Sequence, residues 1–112
     1  FSDESFNGIW ACASLLHLER TETPAVLASF YRILKPGGIL FVLVKEGVGK
    51  KLVRGGMLGS KRRFFTFFPL QTVRTLVTES GFLVEDIYTW NQKDRWSERP
   101  SQVWISCFAK KP

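Results

Sequence analysis

His17 is the single histidine of the sequence, and histidine is the side chain best suited to move a proton near neutral pH. As a general base it could take a proton from an acceptor hydroxyl or amine; the competing reading is a helix-start or surface histidine bonded to backbone. Glu46 follows Lys45 at the end of an apolar run, where it could orient an acceptor or accept a proton. A solvated Lys45–Glu46 pair explains the same residues equally well. Arg63 could grip a carboxylate or phosphate bidentately, and Phe65 stands beside it; these two are the candidate substrate-binding residues. A solvated basic loop is the plainer account of Arg63. Ala11, Cys12, Ala13 and Ser14 are small, so a ligand could approach the backbone there, unless close strand–helix packing is what needs them. No cysteine–histidine metal cluster, serine-triad elbow or Walker loop is present, so no metal is expected.

The element that must position these groups is Leu34 to Lys45, LKPGGILFVLVK. A helical pattern stops at Leu34 and Lys35, since Pro36 cannot continue it. Gly37 and Gly38 permit the positive φ angles of a tight turn. Ile39 to Val44 then run without a polar break, the mark of a central strand in a parallel, helix-covered sheet, with cover on both faces. A short buried helix is the alternative, opposed by the glycines and the β-branched residues.

Other elements follow in chain order. Gly8 to Ala13 reads as a short buried strand. Thr23-Pro24 reads as a helix start, with the Thr23 hydroxyl for the orphan amides. Val26, Leu27, Phe30, Tyr31 and Leu34 give that helix one apolar face. Strand, helix and strand make one right-handed βαβ unit. Glu46 to Arg63, rich in glycine and basic residues, reads as a long mobile loop, with Phe64 to Phe68 packing it back down. Pro69 starts a second helix whose buried face is Leu70, Val73, Leu76 and Val77, and Gly81 stops it. Phe82 to Trp90 is a strand nearer an edge, Asn91 to Pro100 a polar loop, and Gln102 to Ala109 a last strand that pairs antiparallel with it.

Helix, LKPGG and apolar strand together resemble the fourth-helix-to-fifth-strand segment of class I S-adenosylmethionine-dependent methyltransferases. Phe6 to Leu18 (FNGIWACASLLHL) resembles that family's fourth strand and its exit. Arg63-Phe64-Phe65-Thr66 and a helix ending in Ser80-Gly81-Phe82 also resemble it. The resemblance runs over nearly the whole chain. It implies an α/β fold, the C-terminal part of a Rossmann-like methyltransferase sheet, with parallel strands, flanking helices and an antiparallel terminal hairpin. The last strand would insert between its two predecessors in the sheet, antiparallel to both. Residues 1–112 would be a partial domain, fourth to seventh strands, with the glycine-rich cofactor loop upstream of Phe1. The resemblance implies S-adenosylmethionine as cofactor in the complete domain, with Ala11, Cys12 and Ala13 beside its methionine part. It also implies methyl transfer to a small or medium acceptor, with this piece alone inactive. The Asp/Asn-Pro-Pro-aromatic tetrad of many base-amino methyltransferases is absent, its place taken by Ala11-Cys12-Ala13-Ser14.

Composition bounds the rest. The chain has 112 residues, 45% hydrophobic and 23% charged, which suits one globular domain. No apolar run approaches a membrane span and no leader pattern appears, so the expected place is the cytoplasm, with Cys12 and Cys107 as buried hydrophobes. A net charge of +6 raises the question of an anionic partner. Nucleic acid is compatible with the charge but not favoured, because no nucleic-acid-binding signature is present and core packing explains the phenylalanines. A rival reading is a non-catalytic α/β interaction module, a degenerate methyltransferase remnant, that holds an anionic partner through Lys50 to Arg63. Strand Gly8 to Ala13, without an inner neighbour, would be an open edge through which the fragment self-associates.

Overall fold

The computed structural model describes residues 2–12, 20–47, 50–54, 62–98 and 100–112; side chains are described for all of these except residues 20, 50–54 and 62–65. The elements are β1 (Phe6–Cys12), α1 (Thr23–Ile33), β2 (Leu34–Lys45), β3 (Lys50–Arg54), β4 (Arg62–Thr66), α2 (Leu70–Glu79), β5 (Leu83–Asn91), α3 (Gln92–Arg95) and β6 (Val103–Lys110). A four-stranded sheet has the order β1-β2-β6-β5, and β3 and β4 form a separate two-stranded sheet. β1 and β2 are parallel, whereas β6 is antiparallel to both β2 and β5. The apolar strand therefore lies inside the sheet beside β1, and the last strand inserts where the resemblance puts it.

Both long helices cover one face of the sheet. Leu27 of α1 and Val73 and Val77 of α2 pack with Leu40, Val42, Val44, Ile105, Cys107 and Ala109 into the core. Each fully buried aliphatic side chain contributes about 1.5–3 kcal/mol. Cover on both faces, expected from the unbroken apolar run, is not what these elements supply. Successive strand side chains alternate between faces. Phe41 and Leu43 are thus only partly buried, and Ile39 is 38% exposed. On that second face Trp10, Phe41 and Phe108 line up across three strands, with ring centroids 4.9 and 4.6 Å apart. Cys12 also lies there and is exposed, so only Cys107 is a buried thiol.

Several local expectations are corrected. β2 begins at Leu34, because the LKPGG segment bonds on both sides: Leu34 is in register with Phe6, and Gly37 and Gly38 exchange backbone hydrogen bonds with Lys111, just past β6. Of its two glycines only Gly37 takes a positive φ, 83°. Gly38 is needed for closeness: a Cβ there would lie 2.8 Å from the Lys35 carbonyl oxygen. Residues 46–63 are not one long loop; strand formers in Leu52-Val53 and Phe64-Phe65 build the β3–β4 hairpin on either side of the glycines. The segment 91–100 holds the short helix α3. α2 ends as expected, at Gly81 with φ 102°. There the Phe82 and Gly81 amides donate to the Val77 and Thr78 carbonyls, the pattern of a Schellman cap.

Thr23 does not cap α1. Glu22 occupies the cap position after a 3-10 turn, Arg20–Glu22, and no side chain bonds the first amides. The Thr23 residue is 1% exposed, and among the described residues its Oγ1 has no hydrogen-bond partner. It faces a small apolar cavity between α1, α2 and β2, lined by Leu27, Val42, Val44, Phe68 and Val73 among others. An unmade buried hydrogen bond costs more than the loss of both partners. Thr23→Val keeps the shape and removes the orphan oxygen, so it should stabilise the fold by about 1 kcal/mol. A lower urea midpoint at unchanged slope would show that the hydroxyl has a partner.

Candidate active site

β1 and β2 run in the same direction, so their C-terminal ends share one edge of the sheet. Parallel α/β sheets bind ligands at that edge. Ala11, 2% exposed, ends the buried part of β1, and Cys12 follows it into solvent. Ala13 and His17 lie outside the described residues. Glu46 is at the same edge, with an exposed side chain and an amide that donates to the Val103 carbonyl at 3.0 Å. Glu46 also forms an isolated bridge with Phe68. The Phe68 amide donates to the Lys45 carbonyl and the Gly47 amide to the Phe68 carbonyl, each at 3.0 Å. These bonds tie both ends of the β3–β4 hairpin to the edge. Arg63 and Phe65 are on β4, in register with Val53 and Lys51. The edge thus gathers Ala11, Cys12 and Glu46, and the hairpin carrying Arg63 and Phe65 projects from it.

Sequence reasoning passed over a group at this edge. Lys45, Trp104 and Trp90 are in direct register across β2, β6 and β5. The two indoles are near-parallel, 22° between planes and 6.3 Å between centroids. Lys45 Nζ lies 5.5 Å from the Trp104 ring centre. The Arg95 guanidinium lies 4.6 Å from that of Trp90, and Trp96 meets Trp90 edge-on at 6.3 Å. Trp104 Nε1 donates to Gln92 Oε1 at 3.1 Å, and Trp90 Nε1 to Ser106 Oγ at 2.9 Å. Asn91 Oδ1 accepts from the Lys93 and Gln102 amides and so holds α3 against the strand ends. The signal was present: tryptophans at the last position of one expected strand and near the start of the next become neighbours once the pair is antiparallel.

Among the described residues, a core thiol has a shifted acidity. Burial pushes the Cys107 thiol from 9.0 to about 11, with Arg74 opposing and Asp86 adding to the rise. A thiol so raised is a poor nucleophile. The unfolded chain ionises this group first, so its contribution is intact below pH 9 and falls by about 2–3 kcal/mol as pH climbs to 11. Stability measured from pH 8 to 11 should therefore decline less steeply in Cys107→Ala, and an equal slope in both proteins would contradict the burial account. Among the described residues no group of acidic, cysteine or histidine side chains could hold a metal ion, and no helix is long and apolar enough to cross a membrane.

The family model for a methyltransferase domain matches residues 1–42. A structure of an S-adenosylmethionine-dependent methyltransferase from Methanosarcina mazei superposes with a TM-score of 0.83 at 19% identity, over 99% of this chain and 61% of that one. The 1,6-didemethyltoxoflavin-N1-methyltransferase of Burkholderia thailandensis, solved with 1,6-didemethyltoxoflavin and S-adenosylhomocysteine, gives 0.77 at 18% identity, over 99% of this chain and 46% of that one. The cyclase SpnF gives 0.68 at 19% identity, over 100% of this chain and 53% of that one. No curated protein matches the sequence. The chain thus has the Rossmann-like fold of the class I S-adenosylmethionine-dependent methyltransferases, and it spans 46 to 61% of the length of these three structures.

Proposed function

We propose that this chain is the C-terminal part, residues 1–112, of a domain that transfers a methyl group from S-adenosylmethionine to a small or medium acceptor. The observation that carries the reading is the strand order, β1-β2-β6-β5 with β6 antiparallel inside the sheet, joined to the methyltransferase-domain match over residues 1–42. S-adenosylmethionine would supply a methyl group already activated on its sulfonium. The work left to the protein is to hold a nucleophile in line and to exclude water, and orientation of that kind can lower a barrier by roughly 7–11 kcal/mol. Ala11 and Cys12 fit a place beside the donor, because small side chains leave the end of β1 uncrowded. Ala13 continues that run in sequence. In this reading Glu46 orients the acceptor, His17 takes its proton, and Arg63 and Phe65 are the residues that bind the acceptor. The 1,6-didemethyltoxoflavin bound in the structure of the Burkholderia thailandensis methyltransferase supports a small molecule in this role.

A second reading, an interaction module for an anionic partner, draws on Lys50, Lys51, Arg54, Arg62 and Arg63 clustered on one hairpin. Calorimetry of the full-length protein with S-adenosylhomocysteine separates the two. Micromolar binding is expected, and its absence favours the module. In the active protein His17→Ala should lower the rate and flatten its rise across pH 6 to 8. An unchanged profile would remove the base role.

β1 also ends the described sheet, with a partner on one side only. An unpaired apolar strand edge invites pairing with another chain. The isolated 112-residue piece should sediment as a dimer or larger species. A stable folded monomer at tens of micromolar would rule this out.

A further inference from the structure

We propose that Trp90, Trp104 and Arg95 form a binding site for a flat aromatic molecule that carries a carboxylate or phosphate, and that this is the acceptor subsite of the transfer proposed above, on which its role as a subsite rests. Three observations converge. First, the two indoles form a fixed platform. They sit opposite each other on paired strands, and each ring N–H is already bonded, to Gln92 Oε1 and Ser106 Oγ. Their polar edges are thus satisfied, and a ligand would meet the rings beside the two cations that lie over them; rings held this way lose little freedom when it binds.

Second, Arg95 brings charge to that platform without a protein anion to satisfy it. Its guanidinium lies over Trp90, and among the described residues it makes no ion pair or side-chain hydrogen bond. Asp94 and Glu98 are in the same segment, yet neither pairs with it. A stacked guanidinium keeps its in-plane N–H fork available, and that fork matches the two oxygens of a carboxylate or phosphate. Arg95 is exposed, so an incoming anion meets it at the rim, while Trp90 and Trp104 are partly buried behind it. Lys45, over Trp104 on the far side of the row, adds a second positive charge.

Third, the platform is at the right edge. Lys45 is in register with Trp104 at the end of β2, and Glu46, the next residue, bonds Val103 at the start of β6. The basic β3–β4 hairpin leaves from the same point. A neutral acceptor would gain from the rings alone, whereas an anionic one gains from the rings and the Arg95 fork together.

The test is nuclear magnetic resonance of the full-length protein, reading the tryptophan indole N–H signals, assigned by single Trp→Phe changes. Phenyl phosphate and benzoate are the probes, and benzyl alcohol is the neutral control. The anionic probes should shift the Trp90 and Trp104 signals and leave Trp10 unmoved, with the neutral control at least tenfold weaker. Arg95→Gln should weaken the anions about tenfold to hundredfold and leave the neutral control unchanged. The proposal is overturned by equal binding of charged and neutral probes, by no loss in Arg95→Gln, or by shifts confined to Trp10. Phenyl phosphate bound with benzoate silent narrows the anion to phosphate and supports the site. Binding of S-adenosylhomocysteine is measured in parallel. Anions bound without it leave this site standing and remove the methyltransferase reading; the converse removes this site alone.

Discussion

Lys111 closes the joint on which the architecture turns. Its Nζ donates to the carbonyls of Tyr31 and Leu34, at 2.7 and 2.8 Å, and sits 4.6 Å from the Tyr31 ring centre. Those carbonyls belong to the end of α1 and the start of β2, where helix-end oxygens have no helical donors and a cation is favoured. Its backbone reaches the same place: the Gly37 amide donates to the Lys111 carbonyl, and the Lys111 amide to the Gly38 carbonyl. Residues far apart in sequence thus fix the angle at which the chain leaves a helix and enters the middle of the sheet. A buried ammonium is tolerable here because it is fully engaged by carbonyls and a ring face.

From that joint the rest follows by registration. With β6 anchored at Lys111, its pairing with β2 places Phe41 against Phe108, Leu43 against Ser106 and Lys45 against Trp104. Pairing with β5 then sets Trp90 against Trp104. One register carries an aromatic row through the sheet and delivers an aromatic pair with two cations to the edge where β1 and β2 end. The helices cover the other face, so the core and the edge are built by the two sides of the same strands.

Much of this was legible in the residues. The βαβ unit could be read from the period of α1 and from Pro36, Gly37 and the apolar run. The stop at Gly81 could be read from the glycine and its place after an amphipathic stretch. Position in the sheet for β6 came from family resemblance, since pairing partners are not a local property of a strand. Thr23 misled because a hydroxyl before proline fits a cap, and the packing of α1 turned it inward instead. The hairpin at 50–66 was hidden by its glycines and charges, which outweigh two short apolar pairs in any local reading.

Alternation, helix period and turn residues depend on near neighbours in the chain, so sequence alone determined β1, α1, β2, α2, β5 and β6, their order and the βαβ crossover, though not the β3–β4 hairpin or α3. Which face of β2 the helices would cover, that Lys111 would seal α1, and that Trp90, Trp104 and Arg95 would meet were decided only by tertiary structure. These contacts join distant parts of the chain, and a register shift of one residue would move every strand side chain to the opposite face.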